Sequence, residues 1–343
     1  MVDTSYRPRA KSIKVSPRAC MALLLCVVLV VVSGCGSSVA PAAALTPVAV
    51  QLSWTHLSSI GGGFYAADQN GYYAQAGLAV SLLQGGADID PILPVIKGQA
   101  QFGLATADNL ILARAAGQPV RAIATISRRS PIVFIALAAS GITRPQDFAG
   151  KTIRVTPNVV PTLHAMMARV GIRRDQYTTV VLPADMAQFA SGTVPVWAAY
   201  SNAFVMTARQ AGYNINIIYP DDYGVHFYAE TLFTTDAMIA NNPDLVRRFL
   251  RATLKGWTYA IEQPQAIGAL VARYQPDIDV ALENAKMAAS LPLINTGEDQ
   301  IGWMKPAVWD SMATTLREQG VLMRPVDPAD VYTLQFLQEI YAQ

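Results

Sequence analysis

Aromatic and amide-bearing side chains recur where predicted strands end. Trp54 follows the first strand, Tyr65 stands at the opening of the first helix, and Asp108 and Asn109 follow the third strand. Asn158 follows a later strand, Tyr200 and Asn202 follow another, and Asp222 and Tyr223 precede a β-prone run. Aromatic faces stack on flat rings for ~0.5–1.5 kcal/mol beyond burial, and Asn and Asp hydrogen-bond ring carbonyls and N–H groups in defined directions. Each has a plainer role open to it: Trp54 in a core, Asn158 as a helix cap, Asp221 and Asp222 in a solvated turn. Taken together they point to a binding site for a flat heteroaromatic molecule.

Bond-making chemistry finds little support. His56, His164 and His226 are the only histidines, and they show neither HExxH nor a Cys/His ligand spacing, so no metal site is expected. No P-loop and no GxSxG nucleophile elbow occurs. Gly61, Gly62 and Gly63 do not form a dinucleotide fingerprint; they read either as a loose turn or as a loop whose amides face a ligand at a helix start. No cofactor and no catalytic group is expected, and the chain reads as a binder and not an enzyme.

The N-terminus reads as an address. Arg7, Arg9, Lys11, Lys14 and Arg18 precede an apolar run that ends at Ser33, Gly34 and Cys35, an ending similar to the lipobox of secreted bacterial lipoproteins. The run over 21–32 is shorter than the roughly 20 residues that span a bilayer. A signal peptide over 1–34 and acylation of Cys35, with palmitate among the acyl groups, are therefore expected, holding the protein to the extracytoplasmic face of the cell membrane. Loss of five basic and one acidic residue with that segment turns the net charge from +2 to −2, so the basic total says nothing about nucleic acid, and none is expected as a partner. Cys20 and Cys26 leave with it, so no internal disulfide can form.

The elements that must position these groups alternate. Strands are predicted over 48–53, 78–83, 100–106 and 120–126, and helices over 63–76, 89–97 and 109–116. A second α/β stretch follows Gly141, with strands over 152–155, 178–182, 194–198 and 214–218 and a helix over 160–170; beyond Thr235 the chain is almost wholly helical. The fold class is α/β, with two lobes, each a mixed sheet flanked by helices. Residues 35–47, rich in Ser, Ala, Pro and Gly, form a lipidated tether; 48–132 and 233–343 form one lobe and 133–232 the other. Apolar, β-prone segments over 131–138 and 223–234 are expected to cross between them, with ligand at the carboxyl ends of the strands.

Several stretches give the chain a resemblance to a known family: VQLSW at 50–54, GYY at 71–73 with AGL at 76–78, FG at 102–103 with AD at 107–108 and RRSP at 128–131. DFAGK at 147–151, PDDYGVHFY at 220–228, PDLV at 243–246 with RFL at 248–250 and GWM at 302–304 complete the set. The chain resembles extracytoplasmic solute-binding proteins of ABC importers related to the thiamine-pyrimidine synthase fold. The resemblance implies a two-lobed periplasmic-binding-protein (type II) fold that closes on a small molecule and hands it to a membrane permease. Its vitamin branches take riboflavin or a formylated aminopyrimidine. Pyrimidine binders of the family carry a glutamate shortly after a Tyr or Trp-Asn element, whereas residues 200–205 here, YSNAFV, contain no acid. That departure favours a larger neutral ring, riboflavin, with the aminopyrimidine as the alternative. The synthase branch relies on a cysteine-rich run and a lysine-bound pyridoxal, and after cleavage only Cys35 remains.

Overall fold

A computed structural model describes residues 44–86, 89–297 and 299–342. The expected signal peptide over 1–34 and the expected acylation site Cys35 lie outside the described residues. The chain from Leu45 onward is one compact unit built on two five-stranded sheets.

The first sheet holds β1 (Thr46–Gln51), β2 (Leu78–Leu83), β3 (Phe102–Thr106), β4 (Val120–Thr125) and β10 (Glu230–Thr235) in the order β2-β1-β3-β10-β4. The second holds β5 (Ile132–Leu137), β6 (Thr152–Val155), β7 (Thr178–Val181), β8 (Val196–Tyr200) and β9 (Ile215–Ile218) in the order β7-β6-β8-β5-β9. Within each sheet one strand runs against its neighbours: β10 is antiparallel to β3 and β4, and β5 is antiparallel to β8 and β9. Inner strands such as Phe102–Thr106 and Ile132–Leu137 are continuous apolar runs because helices cover both faces.

Those two reversed strands create the cleft. The start of an antiparallel strand lies level with the ends of its neighbours: Glu230 pairs with Thr106, and Ile132 pairs with Tyr200. The chain therefore leaves β4 at the carboxyl edge of one sheet and enters β5 at the carboxyl edge of the other, and returns the same way from β9 to β10. The predicted crossings at 131–138 and 223–234 are displaced by this arrangement. Their apolar cores are β5 and β10, buried sheet strands, and the connecting segments are 126–131 and 219–229 on either side of them. The first strand also starts at Thr46, two residues before the expected 48.

Helices α1 (Ser58–Gln69), α2 (Ala107–Ala115), α3 (Val160–Arg169), α4 (Pro243–Glu262), α5 (Val280–Ile294) and α6 (Pro306–Glu318) pack around the sheets. The triple glycine lies inside α1 and is neither a turn nor an amide-lined loop. A Cβ on Gly256 of α4 would fall 2.1 Å from the Gly63 carbonyl, and one on Gly63 would fall 2.2 Å from the Trp257 ring, so the glycines let two helix backbones touch. The amino end of α1 is held from outside itself: the Glu283 carboxylate of α5 accepts from the Ser58 amide at 2.8 Å, and Lys286 donates to the same carboxylate at 2.7 Å. Among the described residues no helix is long and apolar enough to cross a membrane.

Candidate binding cleft

The carboxyl edge of the first sheet is built from four chain segments. After β1 the chain turns out to Ser53 and Trp54, a residue that is 40% exposed. The segment after β2 lies directly against this loop: the Gly85 amide donates to the Trp54 carbonyl at 2.9 Å, and a Cβ on Gly85 would stand 2.3 Å from the Leu52 carbonyl. Only glycine permits that approach. After β3 comes the start of α2, with Asp108 buried and Asn109 half-buried. Burial pushes the Asp108 carboxyl above its usual range, against the opposing effect of nearby donors.

Glu230, the first residue of β10, completes this edge. Its residue is 8% exposed, and the Ser53 hydroxyl donates to its Oε2 at 2.7 Å. Ser53 is the only side chain among the described residues that meets this carboxyl. Burial pushes its pKa from 4.5 up to about 7, and the Ser53 hydrogen bond only partly offsets that. The sequence motifs do not single out Glu230. A lone acid at the head of an otherwise apolar and hydroxylic strand, Glu230–Thr235, is the signal that marks it.

At the edge of the second sheet Tyr200 is the last residue of β8, half-buried opposite Ile132. Asn202 is buried and reaches the other lobe: its Nδ2 donates to Ser290 Oγ of α5 at 2.8 Å, and the Ser290 hydroxyl donates to the Lys286 carbonyl at 2.8 Å. Asp222 is exposed and Tyr223 half-buried in the Pro220–Tyr223 turn. Beside them the Asp221 carboxylate meets His226 Nδ1 at 2.6 Å, and His226 with more distant Arg129 holds it below the ordinary carboxylate range. Ser130, Ile132, Thr162, Tyr219, Asp221 and Phe227 line a small pocket here. Asn158 belongs to the Pro157–Val159 turn after β6, and its side chain lies outside the described residues.

Tyr65 is a correction. Because α1 starts at Ser58 and not at Gly63, Tyr65 lies mid-helix and faces inward, fully buried. Its hydroxyl lies 3.0 Å from His56 Nδ1 and its ring centroid 4.7 Å from that of Tyr274, so it is core and not cleft surface. Burial lowers the His56 pKa and raises that of Tyr65.

Two buried arginines approach the cleft, and both are engaged by protein acceptors. Arg128, in the first connecting segment, donates to the Asp299 carboxylate and carbonyl, each at 3.0 Å. Arg154 of β6 donates to the carbonyls of Leu182 at 2.7 Å and Ala198 at 3.0 Å, with its guanidinium 5.3 Å from the Trp197 ring centroid. The far rims of the two lobes also touch, where Arg169 of α3 pairs with Glu318 of α6 at 3.7 Å and Arg174 donates to the Gln319 carbonyl. Among the described residues no cluster of three His, Cys, Asp or Glu could hold a metal ion.

Two mixed sheets whose carboxyl edges meet across a pair of connecting segments have counterparts among known proteins. A family model described as NMT1/THI5 like matches residues 61–267, more than half of the chain. The chain belongs to the NMT1/THI5-like family. The riboflavin-binding protein RibY of Chloroflexus aurantiacus is 26% identical over 316 residues, covering 87% of this chain and 88% of that one. The formylaminopyrimidine-binding protein of Halalkalibacterium halodurans is 26% identical over 300 residues, 84% of this chain and 90% of that one. A solved structure, the periplasmic aliphatic sulphonate binding protein SsuA from Escherichia coli, superposes with a TM-score of 0.66 at 16% identity over 84% of this chain and 91% of that one. That likeness establishes the periplasmic-binding-protein fold. The NMT1/THI5-like match takes in Asp108, Asn109, Tyr200, Asn202 and Glu230 but begins after Ser53 and Trp54, so one side of the cleft lies outside it.

Proposed function

We propose that this chain is the substrate-binding component of an ABC importer and that it captures a flat heteroaromatic vitamin, riboflavin, for delivery to a membrane permease. The observation that carries the proposal is an exposed Trp54 on the same loop as Ser53, which holds a buried, largely unpartnered Glu230 carboxyl on one lobe, with Asn202 of the other lobe already joined across to Ser290. A stacking platform and directional polar groups on two lobes are what a closing receptor needs, because a ligand shifts an open–closed equilibrium only by binding the two states unequally. The RibY relative and the acid-free 200–205 segment support riboflavin. A formylated aminopyrimidine is the second reading, supported by a relative of the same identity that binds it.

Cys35 is proposed to carry acyl chains that keep the receptor on the extracytoplasmic face of the membrane, near its permease. Each buried CH₂ contributes about 0.8 kcal/mol and stable anchoring takes two signals, so multiple acylation is required. Titrating protein from residue 36 onward into riboflavin tests the ligand: saturable quenching of flavin fluorescence at micromolar concentrations or below is expected. Silence together with saturable binding of the aminopyrimidine replaces riboflavin, and turnover of either compound overturns the carrier reading.

A further inference from the structure

The buried carboxyl at the cleft edge suggests what the ligand must offer. Glu230 is more than nine-tenths buried, yet among the described residues a single hydroxyl, that of Ser53, reaches it, and that bond occupies Oε2. Among the described residues Oε1 has no hydrogen-bond partner, and it is not sealed from solvent. The residue stands level with Thr106 at the sheet edge where the Ser53–Trp54 loop emerges, Ser53 reaching the carboxyl and Trp54 exposed next to it in the chain. A carboxyl in this setting lacks the donors that would offset the loss of water.

The charges around it run the same way. Asp108, at the start of α2, is a second buried carboxyl on this edge. Arg128 and Arg154, the buried cations that approach the cleft, have their hydrogen-bonding directed to Asp299 and to the Leu182 and Ala198 carbonyls. Arg129 is exposed and lies toward Asp221 in the second connecting segment. Among the described residues both Nη atoms of Arg128 are held by Asp299 and only its Nε is buried without a partner, so no Nη fork is left free at the first-lobe edge for an anionic group.

We propose that Glu230 is the specificity-determining acceptor of the cleft: it takes a hydrogen bond from a ring N–H or ring amino group of the ligand while the ring lies against Trp54, and the cleft disfavours ligands that present an anion there. The proposal rests on the substrate-binding reading above and goes further, since it sets the chemistry one edge of the ring must have. It separates this cleft from that of a sulphonate receptor with the same fold. A carboxylate can accept from Ser53 and from the ligand together. A glutamine offers one neutral acceptor oxygen in place of two carboxylate oxygens, so Glu230→Gln weakens acceptance from the ligand without loss of side-chain volume.

The test is calorimetric titration of the full chain and of E230Q with paired probes. Riboflavin carries one ring N–H, and N3-methylriboflavin carries none; the aminopyrimidine and its dimethylamino counterpart form a second pair, and an aliphatic sulphonate serves as the anion. The expected result is a loss of about tenfold or more in affinity on E230Q for the N–H probe and little change for its methylated partner, with the sulphonate weakest of all. A merely structural role for Glu230 lowers both members of a pair equally, and that outcome overturns the proposal, as does an E230Q protein that binds the N–H probe as tightly as the parent. Sulphonate binding as tight as that of either vitamin probe overturns the charge argument. All three outcomes leave the carrier reading standing, whereas failure of every probe to bind removes the carrier reading and this proposal together.

Discussion

Glu230→Gln also has a consequence that requires no ligand. The folded state holds this carboxyl at about 7 against 4.5 for an exposed glutamate, so the folded chain binds the proton more tightly than the unfolded chain. The stabilising contribution is therefore complete below pH 4.5 and is lost as pH rises through about 7. At about 1.4 kcal/mol per pKa unit, that displacement predicts roughly 2 to 3 kcal/mol less folding stability at pH 8 than at pH 5 from this group alone. Glutamine at 230 does not titrate. Urea unfolding of the parent and E230Q proteins at pH 5, 6, 7 and 8, followed by tryptophan fluorescence, isolates the effect as the change in the difference between them. Asp108, also raised by burial, titrates in both proteins and cancels. E230Q is expected to gain on the parent steadily between pH 5 and 8. A difference independent of pH would mean that Glu230 is hydrated or partnered in solution, and the account of a desolvated acceptor would fail with it.

Three further outcomes follow from the packing. Trp54→Ala removes an exposed ring and should leave the unfolding midpoint nearly unchanged while weakening riboflavin by about 1–3 kcal/mol, the range for bases stacked on aromatic side chains; unchanged affinity takes Trp54 out of the site. Asn202→Ala and Ser290→Ala, combined in a double-mutant cycle, should show a coupling of about 1 kcal/mol in unfolding free energy, because the pair is a buried hydrogen bond between lobes; strict additivity would show that the lobes do not hold this contact in solution. Gly256→Ala gains helix propensity but places a Cβ 2.1 Å from the Gly63 carbonyl, so a net loss of about 1–3 kcal/mol is expected by urea unfolding, and a stabilised variant would contradict the close helix contact.

Local signals place the strand ends of this chain, and long-range contacts place the rest. Strand ends were legible because period and turn chemistry are local, and Trp54, Asn109, Tyr200 and Asn202 do stand at the carboxyl edges of their sheets. Tyr65 and the three glycines depart from expectation for one reason: the glycines signal a break, whereas the helix tolerates their cost of roughly 1 kcal/mol each because Gly63 admits Gly256 and the ring of Trp257. That gain is invisible without the partner helix 193 positions away in the chain. The helix start at Ser58 is likewise capped from Glu283, so local capping signals could not locate it. The sequence places the connecting segments over β5 and β10 because apolar β-prone runs mark buried strands and say nothing about which sheet they enter. Glu230 depends on the same long-range fact. In sequence it is one acid among many; only the antiparallel register of β10 against β3 carries the head of that strand to the edge where Ser53 and Trp54 emerge. The strand that the chain inserts backwards into each sheet thus does two things at once: it joins the lobes through their carboxyl edges, and in the first lobe its opening residue adds an acid to the edge where the βα loops emerge.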